Sequence, residues 1–360
     1  MNQYSTLRLA FGFAFLLFLV QCQTTTAVES RPVQFDPTQV PYPRLSDYAF
    51  FEGNMATLDG NTGVLPYELI TPLFTDYAHK KRFVWMPGGA QAQVDEAGEI
   101  QFPDQTVLIK NFYYPADFRK ASDNWDIIET RLLIKLDGKW EAHSYVWNEE
   151  QTDAKLTLIG AFKTVSWTDL AGAQQTIEYV VPNKNQCKSC HNRHNELLPI
   201  GPKVRNLNQS FQYEDGTVAN QIQAWQAAGF LPAGAIASEH PPLADWNDPA
   251  AHTVSERALA YLDVNCGHCH QAAGPAHTTG LYLTAYQENP TQLGIHKPPV
   301  AAGKGSGGRK YGIEPGQPDA SILVYRMESD DPGVMMPEVG RVLPHQEGIA
   351  LIREWIASMD

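Results

Sequence analysis

Cysteine is scarce in this chain. Only five occur in 360 residues: Cys22, Cys187, Cys190, Cys266 and Cys269. Four fall in two C-x-x-C pairs, which leaves none for an internal disulfide once those pairs are otherwise used. Positive charge is also short, with 27 Lys and Arg against 40 Asp and Glu and a net charge of −13. That excess argues against a nucleic-acid partner and favours a basic or dipolar protein partner. Methionine is absent between Met86 and Met327. Long apolar runs are absent too, except for residues 11–20. That run is too short for a transmembrane helix and has the length of a signal-peptide core. What remains is ordinary for a globular protein: 43% hydrophobic and 19% charged residues, enough chain for two or three domains. The 25 prolines and 27 glycines predict many loops.

Residues 1–22 read as a signal peptide, possible lipoprotein type included. Leu19-Val20-Gln21-Cys22 resembles the lipobox of bacterial lipoproteins, with Gln21 where a small residue is usual. Cys22 is therefore the expected lipidation site, with simple secretion as the alternative. No aspartate follows Cys22, and the expected location is the periplasm, with an outer-membrane anchor. Residues 23–44 are polar and punctuated by proline, which predicts a tether.

The chemistry lies in two repeats of one spacing, Cys187-Lys188-Ser189-Cys190-His191 and Cys266-Gly267-His268-Cys269-His270. C-x-x-C-H is the spacing that attaches haem c. Its thiols form thioethers to the two vinyl groups of a porphyrin, and its histidine sits under the iron. A zinc site or a redox dithiol is the competing reading of C-x-x-C. The histidine that follows each pair, and the lack of further cysteines to complete a tetrad, weigh against it. Two covalently bound haem c groups are expected, with His191 and His270 as proximal ligands.

Met336, followed by Pro337 and placed just before the last helical stretch, is the expected distal ligand of the second haem; Met335 is its neighbour. The first haem has no local methionine, so its sixth position falls to His79, His143, His240 or His252, to a distant methionine or another side chain, or stays open. His194 is too close to His191 in sequence to reach over the ring. His268 is expected to face solvent. Backbone carbonyls of Pro202 and Pro275 are candidates to accept from the proximal imidazoles.

Residues 80–181 have a β texture. Apolar residues alternate from Ile128 to Leu136, Asp137-Gly138 turns the chain, and a second alternating run reaches Trp147, a strong type I′ hairpin signal. This predicts an antiparallel sandwich or half-barrel over 45–184, running straight from a strand into the first haem segment, 185–250. Helices are expected over 217–228, stopped by Gly229, and over 255–264 and 346–359. The last presents Leu351, Ile352, Trp355, Ile356 and Met359 on one face. The expected fold class is α+β and multi-domain: an antiparallel β-rich N-terminal domain, then a mostly α-helical cytochrome c region ending in 251–360.

Residues 251–360 resemble a class I cytochrome c domain, through Cys266–His270, Gly274-Pro275, Pro315 to Ser321 and Met336-Pro337. With Thr71 to Tyr77 and Tyr145 to Ala154, most of the chain is similar to a group of bacterial di-haem c-type cytochrome lipoproteins. Residues 80–191 resemble the small β-sheet c-type cytochromes, including the hydroxylamine-oxidising kind. The resemblance implies an exported di-haem cytochrome. Its expected role is one-electron transfer with redox partner proteins rather than enzymatic turnover. The alternatives are a redox enzyme of peroxidase or nitrogen-oxide type with an open site at the first haem, and a binding module whose surface uses Trp85, Trp125, Trp140 and Trp147.

Overall fold

Six antiparallel strands follow one another across a single sheet as a meander. They are β1 (Val64–Tyr67), β2 (His79–Trp85), β3 (Val107–Pro115), β4 (Trp125–Leu136), β5 (Lys139–Trp147) and β6 (Ala154–Thr157). The computed structural model describes residues 31–121, 125–234 and 236–360; the signal segment, Cys22 and residues 23–30 lie outside the described residues. The expected hairpin joins β4 to β5. Asp137 and Gly138 both take positive φ, 49° and 76°, as a type I′ turn requires.

One face of the sheet buries Phe83, Ile109, Leu132, Tyr145 and Trp147 beneath Leu45, Tyr48, Phe50 and Leu58. Residues 31–44, expected as a tether, pack here instead. Val33, Phe35, Val40 and Tyr42 rest against this core, and the Tyr145 hydroxyl donates to the Tyr42 carbonyl at 2.8 Å. The apolar residues scattered between the prolines account for the difference: half-buried here, they remove hydrocarbon from water at roughly 25 cal/mol per Å². Trp147 is buried on this face with Trp85 and Trp125 packed against its cluster, and Trp140 is buried on the other, so the four tryptophans form core rather than a binding surface.

The opposite face is covered in two bands. Val84, Leu108 and Trp140 pack against Val204, Leu207, Ile222 and Trp225. Phe112, Tyr114 and Ile128 pack against a separate hairpin, β7 (Ala161–Thr168) and β8 (Gln174–Val181). Between the bands runs one cross-strand row, Arg82–Lys110–Arg131–Ser144, set by the pairing registers of β2, β3, β4 and β5. Neither band covers it.

Five helices complete the positioning framework: α1 (Lys184–Cys190), α2 (Gln221–Ala227), α3 (Val254–Leu262), α4 (Ile322–Glu328) and α5 (Gln346–Ala357). Strand does not run directly into the first motif: β8 ends at Val181 and α1 carries both thiols. Asn183 caps α1 and Gln186 returns the contact, a reciprocal cap visible in the sequence as Asn-x-x-Gln. The helix expected over 217–228 is shorter, because 218–220 pair as a strand with 210–212 and Asn220 then caps α2.

Over all described residues 24% are helical and 26% are strand, so the chain is antiparallel β with several helices. Within 251–360 the helices are short and joined by irregular segments rich in Gly and Pro, and a mostly helical region is not seen. The α3–α5 crossing is close: a Cβ at Gly348 would collide with the Tyr261 ring and hydroxyl. This C-terminal part is docked on the sheet domain. The Asp76 carboxylate accepts from the Val342 and Leu343 amides at 2.7 and 2.8 Å, and the Asn265 side chain accepts from the Phe74 amide at 2.8 Å. Arg205 pairs with the buried Asp263 at 2.6 Å.

Candidate functional site

A cavity of about 840 Å³ lies between the sheet and the C-terminal helices, and both C-x-x-C-H motifs open onto it. That volume is near the upper end for ligand pockets. Cys187, Cys190 and His191 line it from α1 and the turn that ends it. Cys266, Cys269 and His270 line it from the C-terminal end of α3, where residues 263–267 loosen into a π-turn. Such wide turns recur at functional sites because they re-aim one helical residue. Thr253 and Glu256 fix the other end of α3 with a capping box.

The motifs meet. The ligating atoms of Cys190, His268 and Cys269 all lie within 4.8 Å of one another. The pairing of these two thiols holds that of Cys190 below its usual range and raises that of Cys269, whose Sγ also donates to the Ser189 carbonyl at 3.9 Å. Burial raises the Cys187 thiol and pushes Cys266 up to about 12. The four described cysteines are all free. His268, expected in solvent, is half-buried against these thiols, with Nδ1 3.1 Å from the Val264 carbonyl. Docking of the first motif against the second removes the solvent that its loop position predicted.

Both proximal candidates are neutral imidazoles at neutral pH, the form that binds a metal. Burial pushes His191 down to about 3 and His270 down to about 4. His191 Nδ1 donates to the Leu198 carbonyl at 2.9 Å, which leaves Nε2 unprotonated for a ligand. The acceptor is not Pro202. A tight turn at His194 and Asn195, with φ of 52° and 65°, pairs 192–193 with 196–197 and folds Leu198 back beside His191. Nor does His270 use Pro275: its Nδ1 is buried without a hydrogen-bond partner, and the backbone group that bears on the ring is that of Leu281.

Met336 lines the cavity, whereas Met335 is buried outside it. Its loop is held by Arg341, 5% exposed, whose guanidinium donates to the carbonyls of Met336 at 3.0 Å and Ser329 at 2.9 Å. None of His79, His143, His194, His240 and His252 reaches the cavity. His79 packs on Tyr113 and Phe118, and His143 is buried in β5. His345, which the sequence did not single out, does line the cavity. Its Nδ1 lies 3.0 Å from the Tyr261 hydroxyl, its Nε2 faces Glu347 at 3.6 Å, and burial pushes it down to about 4.

The sheet wall is cationic. Arg82, Lys110 and Arg131 line the cavity beside the first motif. Arg131 is chelated by the buried Glu129, which also accepts from the Tyr179 hydroxyl at 2.6 Å. Burial, reinforced by Arg82 and Lys80, puts Lys110 well below the usual lysine range. One signal for this wall exists in the sequence: Lys110 ends the apolar run from Val107 to Ile109 inside a strand.

Paired free thiols, neutral imidazoles and a thioether thus face one cavity. They also offer a three-ligand Cys/His cluster to a metal ion, one ligand short of a structural zinc site. No helix among the described residues is long and apolar enough to cross a membrane. Comparison with known proteins finds no matching family model, no matching curated protein and no matching solved structure.

Proposed function

We propose that this chain is an exported di-haem c-type cytochrome that carries single electrons between redox partner proteins. Cys187 and Cys190 would tether one haem and Cys266 and Cys269 the other, with His191 and His270 as proximal ligands and Met336 as the distal ligand of the second. The observation that carries this reading is the opening of both C-x-x-C-H motifs, with Met336, onto one cavity of about 840 Å³. When bound, the haem irons supply reversible one-electron chemistry.

The chain's own contribution is ligation, burial and spacing. Leu281, Leu283, Ile313 and Ile322 line the cavity around His270 with hydrocarbon and exclude water there. Arg341 holds the Met336 loop through its carbonyls. The contact between Cys190 and Cys269 supports electron exchange between the two motifs. Residues 251–360 serve in this reading as a class I cytochrome c-like unit. Periplasmic location and anchoring through Cys22 belong to the same proposal.

One observation favours a second reading, a redox enzyme with an open first haem. Besides the motif histidines, His345 is the single imidazole lining the cavity among the described residues, and both its nitrogens face partners in the protein. Mass spectrometry and visible and EPR spectra of the periplasmic protein test both. Two covalently added haems, both low-spin, are expected of the carrier; a high-spin ferric centre that binds cyanide supports the enzyme. Met336→Ala is expected to lose the methionine-to-iron charge-transfer band with both haems still attached. An unmodified polypeptide mass would overturn the di-haem reading.

A further inference from the structure

The charge of the cavity runs against that of the chain. The protein carries −13 overall, yet six basic side chains line the cavity (Arg82, Lys110, Arg131, Lys297, Arg326 and Arg341) and a single carboxylate, Glu338. Three of the six stand side by side on the sheet, since Arg82 pairs with Lys110 and Lys110 with Arg131 across adjacent strands. Neighbouring strands lie about 5 Å apart, and like charges placed opposite each other destabilise a sheet.

Carboxylates answer only part of this charge. Glu129 chelates Arg131. Glu68 accepts from one nitrogen of Arg82, Nη1, at 2.8 Å. Arg82 is 3% exposed, and its Nε and Nη2 are buried with no partner. Among the described residues Lys110 has no ion-pair partner, and its ammonium sits 4.8 Å from the centre of the Phe112 ring. Two adjacent nitrogens of one guanidinium, with an ammonium on the next strand, make the donor set that grips a carboxylate in a fork.

We propose that Arg82, Lys110 and Arg131 form a receptor for a carboxylate-class anion on the sheet wall of the cavity, beside the Cys187–His191 motif. The anion has two possible sources: a propionate of the prosthetic group at that motif, which rests on the di-haem reading, or a small free carboxylate. In either case it completes the donors that Glu68 and Glu129 leave unanswered, and it explains why a largely buried strand carries Lys110.

The test uses the full-length protein and its Arg82→Gln and Lys110→Met variants, with Lys139→Gln, an exposed hairpin residue away from the cavity, as a control. Resonance Raman reads the propionate-bending bands, and a formate titration followed by tryptophan fluorescence reads free-anion binding. If the receptor holds a propionate, the bands of one haem shift in both variants and not in the control, and formate does not saturate. If it takes a free anion, formate saturates in the wild type and weakens about tenfold or more in each variant. Unshifted bands together with no saturable formate binding would overturn the receptor. A protein that carries no haem but binds formate, with binding lost in the variants, would sink the di-haem reading and leave the receptor standing.

Discussion

His345 sits at the N-terminus of α5, where the sheet domain, α3 and the C-terminal helix meet. Its ring stacks on Phe74 at 4.1 Å and contacts Tyr261, Tyr77 and Trp246. Its side chain is 13% exposed, and burial lowers it from 6.5 to about 4. The folded state therefore holds this imidazole neutral, and the unfolded state takes a proton first as pH falls. His345 costs no stability above about pH 6.5; the cost grows between 6.5 and 4 and is complete below about 4. At about 1.4 kcal/mol per pH unit the full loss is about 3 kcal/mol.

His345→Phe keeps the stacking and removes the titration. At about pH 7.5 it is expected to lose about 1 kcal/mol, for the hydrogen bond with Tyr261. Urea unfolding at about pH 7.5 and pH 4 is the assay. His143, His191 and His270 are also pushed down by burial, so both proteins weaken in acid and only the difference between them is informative. The variant is expected to lose about 3 kcal/mol less than the wild type over this interval. Equal losses, within about 1 kcal/mol, would refute the reasoning that burial holds this ring neutral.

Two further substitutions probe how the halves are joined. Asp263→Ala removes the partner of Arg205 inside the interface, so urea unfolding should show a loss of about 3–5 kcal/mol, with Arg205→Met together with Asp263→Leu recovering much of it. Gly348→Ala forces a methyl against the Tyr261 ring, and a loss of about 1–3 kcal/mol is expected; a neutral result in thermal unfolding would mean that α3 and α5 can slide apart.

Much of the local structure was legible because its causes are local. Alternation about Asp137-Gly138 specified the β4–β5 hairpin, since strand period and turn chemistry are properties of adjacent residues. The apolar stripe of α5 likewise placed Leu351, Ile352, Trp355 and Ile356 in the core. The spacing of the two motifs identified six of the thiol and imidazole groups that face the cavity, and the Met-Pro pair before the last helix identified Met336.

What the sequence by itself determined, then, were the elements and the reactive groups. Only tertiary structure decided that the two motifs share one cavity and that Cys190 meets Cys269, 79 positions further along the chain, a contact that no local pattern encodes. It also decided which carbonyl accepts from His191, which histidines are excluded from the cavity, and that Arg82, Lys110 and Arg131 stand together in a chain of net negative charge. The reason is physical. Register across strands and the docking of helices bring distant residues within a few ångströms, and burial then changes what each charge costs and what it can bind.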